Sequence, residues 1–186
     1  MGPQPPDARL VDLLRGRSLR TGTFTLASGR RSSYYIDARV TTMSAAGLAL
    51  VGELGLAAIR RAGWPVDVVG GLTLGADPVA YAIARASHES PPVVDAFTVR
   101  KQAKEHGTGR RIEGCFRPGV HAVVVEDVIT SGSSACSAIE AVTAEGGIVS
   151  GVVAVVDREE GGRAAIEATG VPVLCLVNVT DLGVTR

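Results

Sequence analysis

The residues with the clearest chemical potential lie between Ala122 and Ser134. Four apolar residues are followed by Glu126 and Asp127, then Val128 and Ile129, then Thr130, Ser131, Gly132, Ser133 and Ser134. An apolar strand here would deliver both carboxylates to the carboxyl edge of a sheet, where open α/β sheets bind ligands. The turn after it would open a helix over Ser133 to Glu145, closed by Gly146 and Gly147. A helix start presents unpaired N–H groups and the positive end of the helix dipole, so this turn is an anion site that suits a phosphate monoester. Thr130, Ser131 and Ser134 would add hydroxyl donors around Gly132. Glu126 and Asp127 would repel a phosphate but accept hydrogen bonds from a vicinal diol, and the two halves together fit a ribose 5-phosphate. The plainer alternative is a strand that merely ends in two acids, followed by a Ser/Thr run that caps a helix.

A second cluster is Arg100 to Gly114, fifteen residues rich in charge and glycine with almost nothing to bury. Loops of that length in a compact domain are lids or disorder. Arg100, Lys101, Lys104 and His106, flanked by glycines, have the composition of a cationic lid, and the alternative is a solvated surface loop. Other phosphate motifs are absent: there is no GxxxxGK[ST], and Gly107, Gly109 and Gly114 lack the spacing of GxGxxG after a strand.

The whole of Ala122 to Ser134 resembles the ribose-phosphate signature of the type I phosphoribosyltransferases. Three further segments are similar to those of one family within that group, the orotate phosphoribosyltransferases. They are Phe24 to Asp37 (an N-terminal signature), Gly71 to Pro78 (a pyrophosphate-side loop) and Arg100 to Gly109 (a mobile catalytic loop). The resemblance spans about Phe24 to Arg158. It implies magnesium-dependent transfer of the phosphoribosyl group from phosphoribosyl diphosphate to orotate, giving orotidine 5′-monophosphate in pyrimidine biosynthesis. It also implies a homodimer whose catalytic loop closes over the partner's active site.

Residue by residue, the resemblance places Arg100, Lys101, Lys104 and His106 on the diphosphate, with Lys101, Lys104, His106 and Asp127 catalytic. Glu126 through Ser134 bind the ribose 5-phosphate, Thr130 and Arg158 hold orotate, and Tyr34 and Tyr35 lie against its ring. Adjacent strand residues face opposite ways, so at most one tyrosine touches the ring. A planar guanidinium suits the orotate carboxylate, though Arg158 could equally be a surface residue in the charged run Asp157 to Glu160. The magnesium would be held mainly by substrate and water. Ala27 and Leu74 stand where one branch of the family carries lysines. Arg30 or Arg31, and the backbone amides of Thr73 to Gly75, are the candidates to compensate. A transferase for another base, such as a purine, and a non-enzymatic nucleotide sensor remain as alternatives.

Positioning these residues requires a particular set of elements. Short Val-rich runs alternate with helical stretches, the mark of an α/β fold with a mostly parallel central sheet flanked by helices. Ser44 caps a helix that ends before Gly63, and another starts around Asp77 and Pro78. Strands are expected at Val66 to Val69, Val93 to Val99, Ala122 to Val125, Gly151 to Val156 and Val171 to Val177. The chain is read as one domain, residues 1–186, with residues 1–39 forming a hood of one helix and a small β element, and 100–114 the mobile loop. Met1 to Leu10 is expected to fray.

Composition narrows the function classes. The 186 residues are 46% hydrophobic, enough for one buried core, and 19 basic side chains balance 19 acidic ones. No global field would then hold the protein on nucleic acid or a membrane. The N-terminal residues lack the order of a signal peptide and no apolar run reaches spanning length, so a cytoplasmic location is expected. Cys115, Cys136 and Cys175 are read as structural thiols, and His88 and His121 as bystanders.

Overall fold

The computed structural model describes residues 5–25, 31–102 and 111–184. The chain opens with α1 (Ala8–Arg17), started by Asp7, whose carboxylate accepts from the Arg9 N–H at 2.9 Å. Leu10, Val11 and Leu14 of α1 are buried, so order begins before Leu10, earlier than the sequence suggested, because this helix has an apolar face to cover. β1 (Leu19–Thr25) and β2 (Arg31–Ile36) pair antiparallel, which completes the expected hood of a helix and a small β element.

After the short α2 (Arg39–Thr42), α3 (Ala45–Ala62) begins where Ser44 Oγ accepts from the Gly47 N–H at 3.1 Å. It stops at Gly63, whose φ of 67° continues no helix. The remaining elements among the described residues are β3 (Val68–Leu72), α4 (Ala76–Glu89), β4 (Asp95–Val99), β5 (Ile112–Gly114), β6 (His121–Ile129), α5 (Ser133–Ala144), β7 (Ile148–Asp157), α6 (Gly162–Glu167), β8 (Val173–Asn178) and a closing 3-10 helix (Val179–Leu182).

The six strands of the main sheet run β5-β4-β3-β6-β7-β8, parallel except for β5 against β4. Both faces are covered. Val123, Val125, Val153 and Val155 pack toward α1, α3 and α4, whereas Ala122, Val124, Val152 and Ala154 pack toward α5 and α6. Burial on both sides is why these strands read as unbroken apolar runs rather than alternating ones. No helix among the described residues is long and apolar enough to cross a membrane.

Two boundaries differ from expectation in ways that shape the site. β6 does not stop at Val125. It pairs with β7 as far as Ile129 against Asp157, while its pairing with β3 ends at Val124 against Gly70. The carboxylates therefore sit inside a strand that has lost one neighbour. Ile112 to Gly114, expected as loop, forms the edge strand β5, which is too short to show a periodicity of its own.

Candidate active site

From β3 the chain winds toward β4 on one side, and from β6 toward β7 on the other, so the strand order reverses between β3 and β6. A crevice opens at the carboxyl ends of strands at such a switch point. Two segments meet there: the loop from Leu72 to Gly75, and Glu126 through Ser134. They touch closely. A Cβ on Gly75 would fall 2.4 Å from Asp127 Oδ1, so only glycine lets the loop lie against that carboxylate.

Glu126 and Asp127 are adjacent on β6, and their carboxyls stay within interaction distance of one another, Glu126 sharing a side-chain hydrogen bond with Asp127. Asp127 is half-buried beside Gly75, and its Oδ1 accepts from the Val128 N–H at 2.9 Å. Glu126 is 6% exposed, and its Oε2 has no hydrogen-bond partner among the described residues. Burial, and then the charge of Asp127, push the Glu126 carboxyl up to about 9. A buried carboxyl with an unmatched oxygen costs stability, so a packing role does not account for it.

After Ile129 the chain turns through exposed Thr130 and Ser131 to Gly132, which stands at the start of α5 with φ of 79° and no side-chain cap. Capping by the Ser/Thr run is confined to Ser131 Oγ, which accepts from the Ser133 N–H at a long 3.5 Å and donates to Ser133 Oγ at 3.1 Å. The first N–H groups of α5 have no acceptor inside the helix, and together with Glu126 they line a small concavity. Gly132 is required twice over. Its φ suits glycine, and a Cβ there would sit 2.6 Å from the carbonyl oxygen of Gly162. A Cβ on Gly162 would in turn approach Thr130 O at 2.3 Å, so the start of α6 forms the floor of the turn. Sequence reasoning missed this support. The only signal was the Gly161-Gly162 pair after Glu160.

Arg158 lies next to the same turn, its N–H donating to Ile129 O at 3.0 Å. It is 7% exposed rather than a surface residue. Its Nε donates to Tyr34 Oη at 3.3 Å and its guanidinium carbon stands 4.9 Å from the Tyr34 ring centroid. Nη2 is 2.8 Å from Glu160 Oε1 without an N–H aimed along that line, so this is an ion pair rather than a formed hydrogen bond. Tyr34 Oη donates to the same carboxylate at 3.4 Å. Tyr35 points the other way, 40% exposed and tilted against Phe24. The structure thus brings Tyr34 to Arg158 and takes Tyr35 away.

The cationic segment starts and ends on the sheet edge. The Arg100 N–H donates to Arg111 O at 2.8 Å, and the Arg100 side chain pairs at 3.5 Å with exposed Glu113. This stem continues from β4 and β5, which lie two and three strand spacings, roughly 10 and 15 Å, from β6. Lys101 is exposed; Lys104 and His106 lie outside the described residues, as do Ala27 and Arg30. Beside Leu74, one of the two vacated lysine positions, stands a described cation that the sequence did not single out, Arg39. It lines a concavity with Leu74, is attracted by Asp127, and is held by Asp37 through Nε to Oδ1 at 2.8 Å and Nη2 to Oδ2 at 3.0 Å.

Comparison with known proteins gives this geometry a family. No protein-family model matches the chain. Among curated proteins, the orotate phosphoribosyltransferase of Mycobacterium tuberculosis is 46% identical over 181 residues, covering 96% of this chain and 97% of the relative. That of Aquifex aeolicus is 44% identical over 177 residues, covering 94% and 96%. The crystal structure of the Mycobacterium tuberculosis enzyme in complex with 5-phospho-alpha-D-ribosyl 1-diphosphate superposes with a TM-score of 0.81 at 43% identity, covering 95% of this chain and 98% of that one. An adenine phosphoribosyltransferase from Leishmania donovani, at 15% identity and a TM-score of 0.67, shares the fold alone. With such identity across nearly the whole of both chains, this chain belongs to the orotate phosphoribosyltransferase family.

Proposed function

We propose that this chain joins orotate to the ribose 5-phosphate of phosphoribosyl diphosphate and releases pyrophosphate, the step that forms orotidine 5′-monophosphate in pyrimidine biosynthesis. The observation that carries the assignment is the unmatched, buried Glu126 oxygen beside the uncapped start of α5. A sugar phosphate supplies what both lack: hydroxyl donors for the carboxylates Glu126 and Asp127, and an anion for the first amides of α5, which have no acceptor inside the helix. Thr130, Ser131 and Ser134 add hydroxyls around the phosphate, and the backbone of Val128 and Ile129 holds the turn in register with β7.

Orotate is favoured over a purine by Arg158. Its planar fork is pre-set by Tyr34 and Glu160 next to Thr130, the geometry that reads a carboxylate. The base nitrogen displaces pyrophosphate at the anomeric carbon with inversion. Positive charge developing on the ribose lies near Asp127, and negative charge on the leaving group meets Arg100, Lys101, Lys104 and His106. No covalent nucleophile is needed, so the work of the protein is positioning and charge placement.

The donor set fits magnesium carried by the substrate. The crevice offers adjacent carboxylates and hydroxyls, hard oxygen ligands, without a gathered cage of three or more His, Cys, Asp or Glu side chains among the described residues. When bound, the ion neutralises charge on the diphosphate. We further infer a homodimer in which residues 100–114 serve the partner's site, which the position of the Arg100–Arg111 stem on the sheet edge favours. A cytoplasmic location is supported by three free thiols. Pyrophosphate release measured with orotate, uracil, adenine, hypoxanthine and guanine tests the assignment. Release with orotate alone is expected, and release with a purine but not orotate would overturn it.

A further inference from the structure

We propose that Asp77 is a positioning residue for the diphosphate, locking the loop that leaves β3 to the strand that leads into the cationic segment. This rests on the reading of Leu72 to Gly75 as the diphosphate side of the crevice.

Asp77 sits in the first turn of α4, immediately after that loop. Its two oxygens are committed to two different elements. Oδ2 accepts from Thr73 Oγ1 at 2.7 Å, and Oδ1 accepts from Thr98 Oγ1 at 2.8 Å. Thr98, whose hydrogen is spent on Asp77, can accept from Tyr81 Oη at 3.0 Å, which makes a directed chain Tyr81 to Thr98 to Asp77. The Thr73 N–H completes the lock by donating to Val99 O at 2.8 Å. Thr98 and Val99 end β4, and Arg100 follows them directly.

A carboxylate near a diphosphate would repel it, so Asp77 makes chemical sense only if its charge is directed elsewhere. Here both oxygens point at hydroxyls, in charge-assisted bonds stronger than neutral ones. Nor does Asp77 cap its own helix. Gly75 holds the cap position without a side-chain bond, and neither Asp77 bond goes to a helix N–H. The consequence is that Thr73 Oγ1 is fixed as a donor inward. With its Thr73 N–H given to Val99 O, the loop can then offer the crevice the Leu74 and Gly75 N–H groups and those at the start of α4, which have no acceptor inside the helix. Pro78, next in the turn, brings no N–H that would need one.

The test is steady-state kinetics in both directions on Asp77→Ala, Thr73→Val, Thr98→Val and Thr98→Ser, with Asp127→Asn as reference. Thr→Val keeps the shape and exchanges the hydroxyl for a methyl, so Thr98→Val decides the matter if Asp77→Ala does not fold. KM for phosphoribosyl diphosphate, and for pyrophosphate in the reverse reaction, should rise about tenfold in Asp77→Ala and in both valine variants, equivalent to one charge-assisted hydrogen bond. KM for orotate and for orotidine 5′-monophosphate should stay within about twofold by the same arithmetic, because those ligands use Arg158 instead. Thr98→Ser should restore the wild-type values. Unchanged KM for both diphosphate ligands in Thr98→Val, or equal losses for all four ligands, would overturn the proposal. If Asp127→Asn is also unaffected, the assignment of the crevice itself falls; if only Asp127→Asn is impaired, Asp77 alone is misassigned.

Discussion

Replacing Glu126 by glutamine should make the ligand-free protein more stable toward alkaline pH while damaging its use of phosphoribosyl diphosphate. The carboxyl is raised from its ordinary 4.5 to about 9 by burial and by Asp127, so the folded chain keeps a proton that the unfolded chain gives up. The stabilising effect of that proton is fully present below 4.5 and is lost as pH rises toward 9, at about 1.4 kcal/mol per unit; by pH 7 the loss reaches about 3 kcal/mol. Glutamine resembles the protonated acid and has no such slope, although its amide hydrogens enter the same unmatched position at a cost of about 1–3 kcal/mol. Near pH 7 the two effects largely cancel or leave a small gain. Above it the variant should draw ahead, by about 3–6 °C in melting temperature per pH unit for a chain of this size. Thermal unfolding of both proteins without ligand at pH 6, 7, 8 and 9 measures this. A gap independent of pH, or one that moves against the variant as pH rises, would refute the buried-carboxyl reasoning. With ligand the sign reverses: donors from the ribose diol favour the ionised carboxylate, which glutamine cannot form and one of whose acceptor oxygens it replaces by an NH2 donor, and kcat/KM for phosphoribosyl diphosphate should fall about 10- to 100-fold. A residue present only for packing would not be expected to improve stability and impair substrate use together.

Other perturbations separate the parts of the site. Arg158→Lys keeps the charge but loses the fork held by Tyr34 and Glu160. KM for orotate should rise about tenfold or more while KM for phosphoribosyl diphosphate stays near normal in initial-rate assays. Gly132→Ala forces a Cβ to 2.6 Å from Gly162 O at a φ that costs a non-glycine residue about 1–3 kcal/mol, so calorimetry should show a lower melting temperature and titration a loss of phosphoribosyl diphosphate binding. Lys101→Ala should lower kcat about 100-fold with orotate affinity kept. Mixing it with an Asp127→Asn protein should recover part of the activity, and no recovery would argue for self-contained subunits.

How much of this was readable in the sequence depended on whether the cause was local. Ser44 and Gly63 bound α3 because caps are set by one residue and its own backbone, and Gly132 marks the turn into α5 for the same reason. The continuation of β6 through Glu126 and Asp127 was not readable. Charges normally end a buried strand, and here pairing with β7 alone keeps the strand going. The burial of Arg158 was hidden in a charged run that reads as surface; it is made by Tyr34, distant in sequence. Gly162 under the turn, Arg39 beside Leu74 and the reach of Asp77 to Thr98 are likewise contacts between remote segments, which leave no period or cap behind.

A crystal structure with phosphoribosyl diphosphate and magnesium bound offers the most direct check. The 5-phosphate should accept hydrogen bonds from backbone amides between Gly132 and Ala135, with the two ribose hydroxyls donating to Glu126 and Asp127. Density for the sugar phosphate away from the start of α5, with those amides facing only solvent, would contradict the assignment.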